Sequence, residues 1–478
     1  MTALCADGAG NMPEYSKSDP ETVSVGDLPL VVEIGDLVAT NWHDEYRLAC
    51  LRAAPLTSLL PFRSHREAAL RDARTDVLRE AAHWPMNMSA VDELASVARS
   101  GRKVVLVTSA PEWIAVAIAS RVPFLSDAIA DAPAEGHARR AFLAERFPEG
   151  SSAFVSRSGP NWLPVARGER EERSFASSLI GTFTLWRKFL RLHQWAKNLL
   201  IVVPLVLGGK MGDAGAWFSV AFGFLALGLV ASATYIINDL VDLPSDRKHW
   251  SKRHRPLASG RVSIRFGALT ALALLAGGFG LILSQTFAAL VMLLVYCGTT
   301  LLYSAYFKRV PMLDVLVLAC LFTIRLGMGI ALTDVQLSPW LLVFSMFIFL
   351  SLSVAKRHTE ILRTIELQLV STPGRGYRSE DAPLTLGLGL ASGIAAVLIM
   401  VVYLIEDAVP RQIYKEPLFL WAIPPILFLF LGRIWLLSQR GELNDDPVAF
   451  ALKDAVSVGY GAAIVAALTL ALTGLGLS

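Results

Sequence analysis

From about residue 196 to the C-terminal end the chain is a succession of apolar runs, near 196–212, 215–237, 266–284, 287–305, 312–332, 338–354, 385–405, 416–437 and 454–476. A bilayer core takes about 20 apolar residues per helix, and only structures that satisfy their own backbone can cross it. The pattern therefore predicts nine transmembrane helices over 196–478. The first run is the weakest, broken by Pro204 and entered through Trp195 and Lys197. Composition agrees: 54% of residues are hydrophobic and only 18% charged, more apolar than an ordinary soluble enzyme.

Charge orients the bundle. The connections after the second, fourth, sixth and eighth runs are basic, carrying Arg247 to Arg261, then Lys308 and Arg309, then Lys356 to Arg378, then Arg433, Arg440 and Lys453. The opposite connections hold little beyond Lys210, Arg411 and Lys415. By the positive-inside rule the basic connections and the N-terminal region face the cytosol and the C-terminus lies outside, as expected of a multi-pass protein of a plasma (inner) membrane. Just before the bundle, Leu185, Phe189, Leu192 and Ala196 recur on one stripe with Arg187, Lys188 and Arg191 off it. This predicts an interfacial helix on anionic lipid, or a plain basic flank to the first span.

Several classes drop out. A net charge of +3 and the lack of a basic stripe with interleaved aromatics argue against nucleic acid as a partner. Cys5, Cys50, Cys297 and Cys320 have no metal-ligand spacing. Residues 1–25 lack an apolar signal segment and read as a disordered tail. No pattern specifies an oligomer.

The most informative segment is Asn238-Asp239-Leu240-Val241-Asp242-Leu243-Pro244-Ser245-Asp246, at the end of the second run. Asp239 and Asp242 fall on one helix face, and Asp246 continues it unless Pro244 bends the chain. Three carboxylates at a membrane mouth repel one another unless a cation joins them. Hard oxygen ligands suit magnesium, which completes its shell with water and substrate phosphate. The basic run Arg247 to Arg255 supplies what a diphosphate would need. A solvated acidic loop is the plain alternative.

NDLVDLPSD followed by RHRPLASG resembles the NDxxDxxxD…RPlxxG signature of the UbiA prenyltransferase superfamily, over residues 185–478. The resemblance implies an all-α membrane bundle of nine transmembrane helices. It implies that Asn238, Asp239, Asp242 and Asp246 bind the magnesium diphosphate of a donor, with Asp239, Asp242 and Asp246 as Mg2+ ligands and Arg253 and Arg255 nearby. Tyr303-Ser304-Ala305-Tyr306-Phe307-Lys308-Arg309, with Asp314 beyond, resembles the family's Y-S/P-x-x-K-R loop. It makes Tyr303, Lys308 and Arg309 substrate-binding candidates, though Lys308 and Arg309 equally serve as positive-inside residues.

One departure stands out. Where family prenyltransferases carry a second acidic motif, in the loop after the sixth helix, this chain reads Ser353-Val354-Ala355-Lys356-Arg357-His358-Thr359-Glu360. Lys356 and Arg357 can neutralise phosphate where a second metal otherwise would, with Glu360 beside them. The pattern resembles the polyprenyl-phosphate phosphoribosyltransferases of bacterial arabinan synthesis. Arg191-Leu192-His193-Gln194-Trp195-Ala196-Lys197-Asn198 resembles that branch's R-x-x-Q-W-x-K-N and brings in Lys197 as a substrate ligand. Phosphoribosyl transfer to polyprenyl phosphate thus leads prenyl transfer to an aromatic acceptor. His358 reads as neither base nor ligand, and Asp445-Asp446 as a helix cap in preference to a site.

Residues 26–170 alternate strand-like segments, 28–34 and 103–110, with helical ones, 65–82 and 90–99, an α/β layer. Their order resembles the haloacid dehalogenase (HAD) phosphohydrolases. The catalytic set is broken, however. The nucleophile position is Glu33 and the acid–base position Gly35; Thr108 survives, Arg139 stands at the lysine position, and Arg157 and Asn161 replace metal-binding acids. The resemblance then implies a cytosolic pseudo-phosphatase domain, structural or regulatory, joined to the bundle through a linker over 171–195.

A transporter would put polar residues at mid-membrane, whereas here the ionisable groups gather at one rim. Arg325, inside the fifth run, is the exception; it is expected to face the interior and to meet a phosphate or carboxylate.

Overall fold

In a computed structural model, residues 28–53, 73–134, 136–148, 150–153, 175–336, 338–368, 375–443, 447–451 and 453–474 are described. Cys5, Arg157, Asn161, Asp445, Asp446 and the 65–72 part of the expected helix lie outside them. The chain divides into two compact units, residues 1–171 and 172–478.

The first unit is built on four parallel strands, β1 (Leu30–Val32), β2 (Val104–Val107), β3 (Asp127–Ile129) and β4 (Ser152–Ala153), in the order β3-β2-β1-β4. Val31 pairs with Val105, and Val105 in turn with Asp127. β1 and β2 read as continuous apolar runs because both faces are covered. Helices Met88–Arg99 and Glu112–Ala119 contribute Leu94, Ile114 and Ile118 to that cover. Past the ends of β1 and β2, Arg139 donates to Glu33 Oε2 at 2.6 Å and to the Val107 carbonyl at 3.0 Å. Thr108 Oγ1 accepts from the Ala110 amide. Glu33, Thr108 and Arg139, far apart in sequence, thus gather at one edge of the sheet.

In the second unit, eight helices among the described residues are long and apolar enough to cross a membrane: α1 (Ala214–Val241), α2 (Ile264–Ile282), α3 (Phe287–Ala305), α4 (Leu313–Thr333), α5 (Pro339–Glu366), α6 (Ser379–Ala408), α7 (Pro417–Gln439) and α8 (Ala455–Thr473). Their starts are marked in sequence. The side chains of Asp213, Ser263, Thr286, Ser338 and Asp454 accept from first-turn amides of α1, α2, α3, α5 and α8. One apolar core lies among α1, α3 and α4, and another among α4 to α8.

Three expectations change. The first apolar run is a shorter helix, Leu192–Leu207, so the long helices are eight and not nine. It is mostly 3₁₀ in form, Leu192–Val202, and becomes α-helical only from Val203, next to Pro204. The interfacial stripe does not run on one helix: Phe175–Phe189 ends, Arg191 turns left-handed at φ 51°, and Leu192 and Ala196 belong to the next element. Ser232 takes up the freed Leu190 carbonyl at 2.7 Å. The expected loop at 353–360 is helix, because no Gly or Pro interrupts α5 after Pro339. At 28 residues α5 is roughly 42 Å long, about 12 Å more than a 30 Å hydrocarbon core requires, and Lys356, Arg357 and Glu360 lie in its C-terminal half.

Gly389 is where α6 passes α7. A Cβ there would lie 1.9 Å from the Trp435 ring. That indole cannot swing aside cheaply, because its N–H donates to Ser351 Oγ at 3.0 Å and Ser351 in turn donates to the Gly389 carbonyl. Gly389→Ala is expected to cost about 1–3 kcal/mol through overpacking, read as a lowered melting temperature of the purified protein in detergent.

Candidate active site

The acidic motif straddles a break in the helix. α1 stops at Val241, Asp242 serves as its C-cap, and a short helix Leu243–Lys248 restarts with Pro244 in its first turn. The bend lets Asp246 return toward Asp239. Arg255 Nη1 donates to Asp239 Oδ1 at 3.0 Å and also reaches Asp246 Oδ2. Arg191 pairs with Asp239 as well, and its guanidinium lies 4.8 Å from the centre of the Tyr235 ring. Asp242 is turned to another partner: Lys308 Nζ donates to both its oxygens at 2.7 Å. The Asp242 amide bonds the Asn238 carbonyl, which ties Asn238 into the last turn of α1. Arg253 and Arg309 are exposed and take no part in these pairs.

Burial pushes the Asp246 carboxyl above its ordinary range against the opposing pull of Arg255, and burial lowers the Lys252 ammonium nearby. Uncompensated negative charge is therefore costly here, and the basic side chains offset it. Among the described residues no three His, Cys, Asp or Glu side chains gather as a metal cluster. Two do converge: Asp239 and Asp246 meet on a single nitrogen of Arg255. Two hard carboxylates around one point of positive charge are the donor set that magnesium takes from a protein when phosphates and water complete its shell.

A second cluster adjoins the first; the sequence named Tyr303, Lys308, Arg357 and Glu360, but neither their convergence around Asp314 nor the parts of Tyr377 and Arg375. Asp314, at the start of α4, is fully buried and accepts from Arg357 Nε at 2.6 Å and from the Tyr377 hydroxyl at 2.6 Å. Arg357 also bonds Glu360 and, at 3.4 Å, the Tyr303 hydroxyl. Arg375 donates to that hydroxyl at 2.9 Å and to the Lys308 carbonyl at 3.3 Å, which joins the two clusters. Arg357 is thus buried with its nitrogens occupied, while Lys356 beside it is only partly buried. Burial and the bond to Asp314 both raise the Tyr377 hydroxyl, which stays protonated as a donor. His358 sits between Thr385 at 3.0 Å and Gln439 at 2.9 Å, a packed histidine and not a ligand.

Deeper in the bundle, Trp195 fits against Gly228, where a Cβ would meet its ring at 2.7 Å, and donates to Ser232 at 3.0 Å. That anchors the Gln194 to Asn198 turn against α1. Lys197 lies over Phe322 at 5.5 Å, and Arg325 is buried within bonding distance of Asn198 and Tyr296. Next to them is an apolar cavity of about 570 Å³, lined by Leu199, Leu326, Ile348, Phe349, Tyr403 and others.

A many-helix apolar bundle that collects carboxylates, arginines and lysines at one end is the architecture of an integral-membrane protein with a polar site at one rim. The profile of the UbiA prenyltransferase family matches residues 199–455, over half of the chain, and the chain belongs to that family of multi-pass membrane transferases. It is 37% identical to the uncharacterized protein y4nM of Sinorhizobium fredii, over 93% of this chain and 91% of that one. The decaprenyl-phosphate phosphoribosyltransferase of Mycobacterium tuberculosis is 30% identical over 56% of this chain and 88% of its own length. A UbiA homologue from Archaeoglobus fulgidus, solved with DMAPP and Mg2+, superposes with a TM-score of 0.46 at 16% identity, over 61% of this chain and 99% of that one.

Proposed function

We propose that this transferase moves a phosphoribosyl group from phosphoribosyl diphosphate to a polyprenyl phosphate. The observation that carries the reading is the charge of the second cluster. In place of a second set of aspartates for metal it presents Arg375 and Lys356 beside Tyr303 and Glu360, while Arg357, paired with the buried Asp314, holds Tyr303 and Glu360 in position. Such a site holds phosphate oxygens by charge and hydrogen bonds, as a donor with an extra phosphate on its sugar requires. Similarity to relatives named as decaprenyl-phosphate phosphoribosyltransferases supports the same donor.

Asp239 and Asp246 would hold Mg2+, with Asp242 and Asn238 beside them; bound there, the ion would draw charge onto the departing diphosphate. Arg255, Lys308 and Arg191 now neutralise the carboxylates, and they would turn to donor phosphate as it enters. Lys356, and Arg253 and Arg309 at the exposed rim, would assist that entry. The C1–O bond to diphosphate breaks with its electron pair leaving on the diphosphate, through an oxocarbenium-like state. An acceptor phosphate oxygen supplies the pair for the new C1–O bond. That oxygen is already anionic, so no base is needed, and His358 is left to packing. The apolar cavity suits the polyprenyl tail.

On this reading the basic connections face the cytosol and the C-terminus the opposite side of a plasma (inner) membrane. The first unit would be a degenerate HAD-like pseudo-phosphatase, its Glu33 clamped by Arg139 instead of free for attack.

Purified protein offered labelled phosphoribosyl diphosphate with polyprenyl phosphate is expected to form labelled lipid only with magnesium present. Geranylgeranyl diphosphate with candidate arenes is expected to give none. Product in the second assay alone would replace this reading with prenyl transfer to an aromatic ring.

A further inference from the structure

Arg325 is a buried cation in the middle of α4, and among the described residues it has no carboxylate partner. Its Nε donates to Asn198 Oδ1 at 3.0 Å, Nη1 to the Leu321 carbonyl at 2.5 Å, and Nη2 to the Tyr296 hydroxyl at 3.1 Å. The Tyr296 and Phe322 rings flank the guanidinium at 4.9 and 5.3 Å. Every partner is neutral. An ionised group inside a bilayer with only neutral partners is expensive and marks a place where a counter-ion arrives.

Asn198 makes the same point independently. It is 1% exposed, and accepting from Arg325 Nε fixes its carbonyl oxygen toward the guanidinium. Its amide nitrogen is then aimed elsewhere in the interior and has no partner among the described residues. A buried NH₂ left without an acceptor loses hydrogen-bond energy unless a ligand supplies one. Lys197, the preceding residue, holds its ammonium 5.5 Å from the same Phe322 ring. Arg325 and Asn198 present a cation and an unmet donor, so the missing partner is an anion rich in acceptor oxygens.

Its other end is apolar. Phe349 stacks on Phe322 with ring centres 4.3 Å apart, and Phe349, Leu199 and Leu326 all line the apolar cavity. Leu199 and Leu326 directly follow Asn198 and Arg325 in sequence. Arg325 and Asn198 do not themselves line the cavity; the stacked Phe322 and Phe349 rings connect the cationic, donor-rich spot to it, and an amphiphile with an anionic head and a hydrocarbon chain fits that pairing.

We propose that Arg325, Asn198 and Lys197 hold the phosphate head of the polyprenyl phosphate acceptor, with its chain in the adjoining cavity. The assignment rests on the acceptor class proposed above and separates the acceptor's head from the donor's carboxylates. Tyr235, one helical turn before Asp239 on α1, carries Arg191 over its ring.

The test is equilibrium binding to the purified full-length protein in phosphatidylcholine nanodiscs, with no donor present. Labelled C55 polyprenyl phosphate is expected to bind at least about tenfold more tightly than uncharged C55 polyprenol, the scale of one charge-assisted contact. Equal affinities on the unaltered protein overturn the proposal. Asn198→Asp changes little in volume but gives Arg325 an internal carboxylate. Its melting temperature is expected to hold or rise, while the preference for the phosphate form falls to within about twofold. A variant that melts normally and keeps the tenfold preference shows Arg325 and Asn198 to be structural only, and also overturns it. Because neither measurement uses a donor, both stand apart from the choice between phosphoribosyl and prenyl transfer.

Discussion

Asparagine in place of Asp239 is expected to lower kcat/KM by about 10²–10³, the scale of losing one preorganised electrostatic contact at a transferring phosphate. The substitution keeps shape and one acceptor oxygen, so Arg191 and Arg255 retain a partner and the bundle should keep its melting temperature. What it removes is one of the two carboxylate charges that converge on Arg255 Nη1, and with it half of the set proposed to hold a cation. The half-saturating magnesium concentration should therefore rise along with the fall in rate. Glu33→Ala, in the other unit, is expected to change the rate by less than twofold, since Glu33 is held in an ion pair with Arg139 and its unit carries none of the residues assigned to the transfer. Initial rates of labelled-lipid formation in membranes check both. An Asp239→Asn protein that retains more than half of the wild-type turnover would sink the site assignment.

The legible parts of this molecule were those written in local patterns. Apolar runs placed most of the long helices within a few residues, since the bilayer sets a length that sequence must match, while α5 runs twelve residues past the end of its apolar run. The Asp239-to-Asp246 spacing located the acidic end, and Pro244 announced the bend that the chain takes there. The shortfalls came from non-local partners. Asp314 looks like an ordinary helix-start acid until Arg357, 43 residues on, and Tyr377, 63 residues on, close over it. Residues 353–360 look like a polar loop because they are polar. They continue a helix because Arg357, His358 and Thr359 find partners on neighbouring elements: Asp314, Gln439 and Ser438. The stripe from Leu185 to Ala196 had helical spacing across a break that only the left-handed Arg191 reveals. Arg191 itself stood in a quoted motif, yet its pairing with Asp239 depends on that turn.

Methionine in place of Arg357 is expected to destabilise the protein by about 3–5 kcal/mol, the cost of stripping one partner from a buried charge. The side chains of Arg357 and Asp314 are 2% and 1% exposed. Without Arg357, Asp314 keeps the Tyr377 hydroxyl and an arginine no nearer than 3.9 Å, that of Arg375, which is too little for a carboxylate out of reach of water. Glu360 is 30% exposed and can be rehydrated, so most of the cost falls on Asp314. Lysine should recover only part of it. The guanidinium spans Asp314 through Nε, Glu360 through Nη1 and Tyr303 through Nη2, whereas an ammonium is a single point charge on a flexible stem. The decisive variant removes both charges. Arg357→Met with Asp314→Leu should regain most of the lost stability, because no ion is then left unpaired. Activity should stay low, since Tyr303 and Glu360 lose the group that orients them next to Lys308. Melting temperatures in detergent alongside transfer rates separate the two effects. If the double variant is as unstable as Arg357→Met alone, the buried pair is not what Arg357 stabilises. If it regains full activity along with its stability, the second cluster has no part in positioning the substrate.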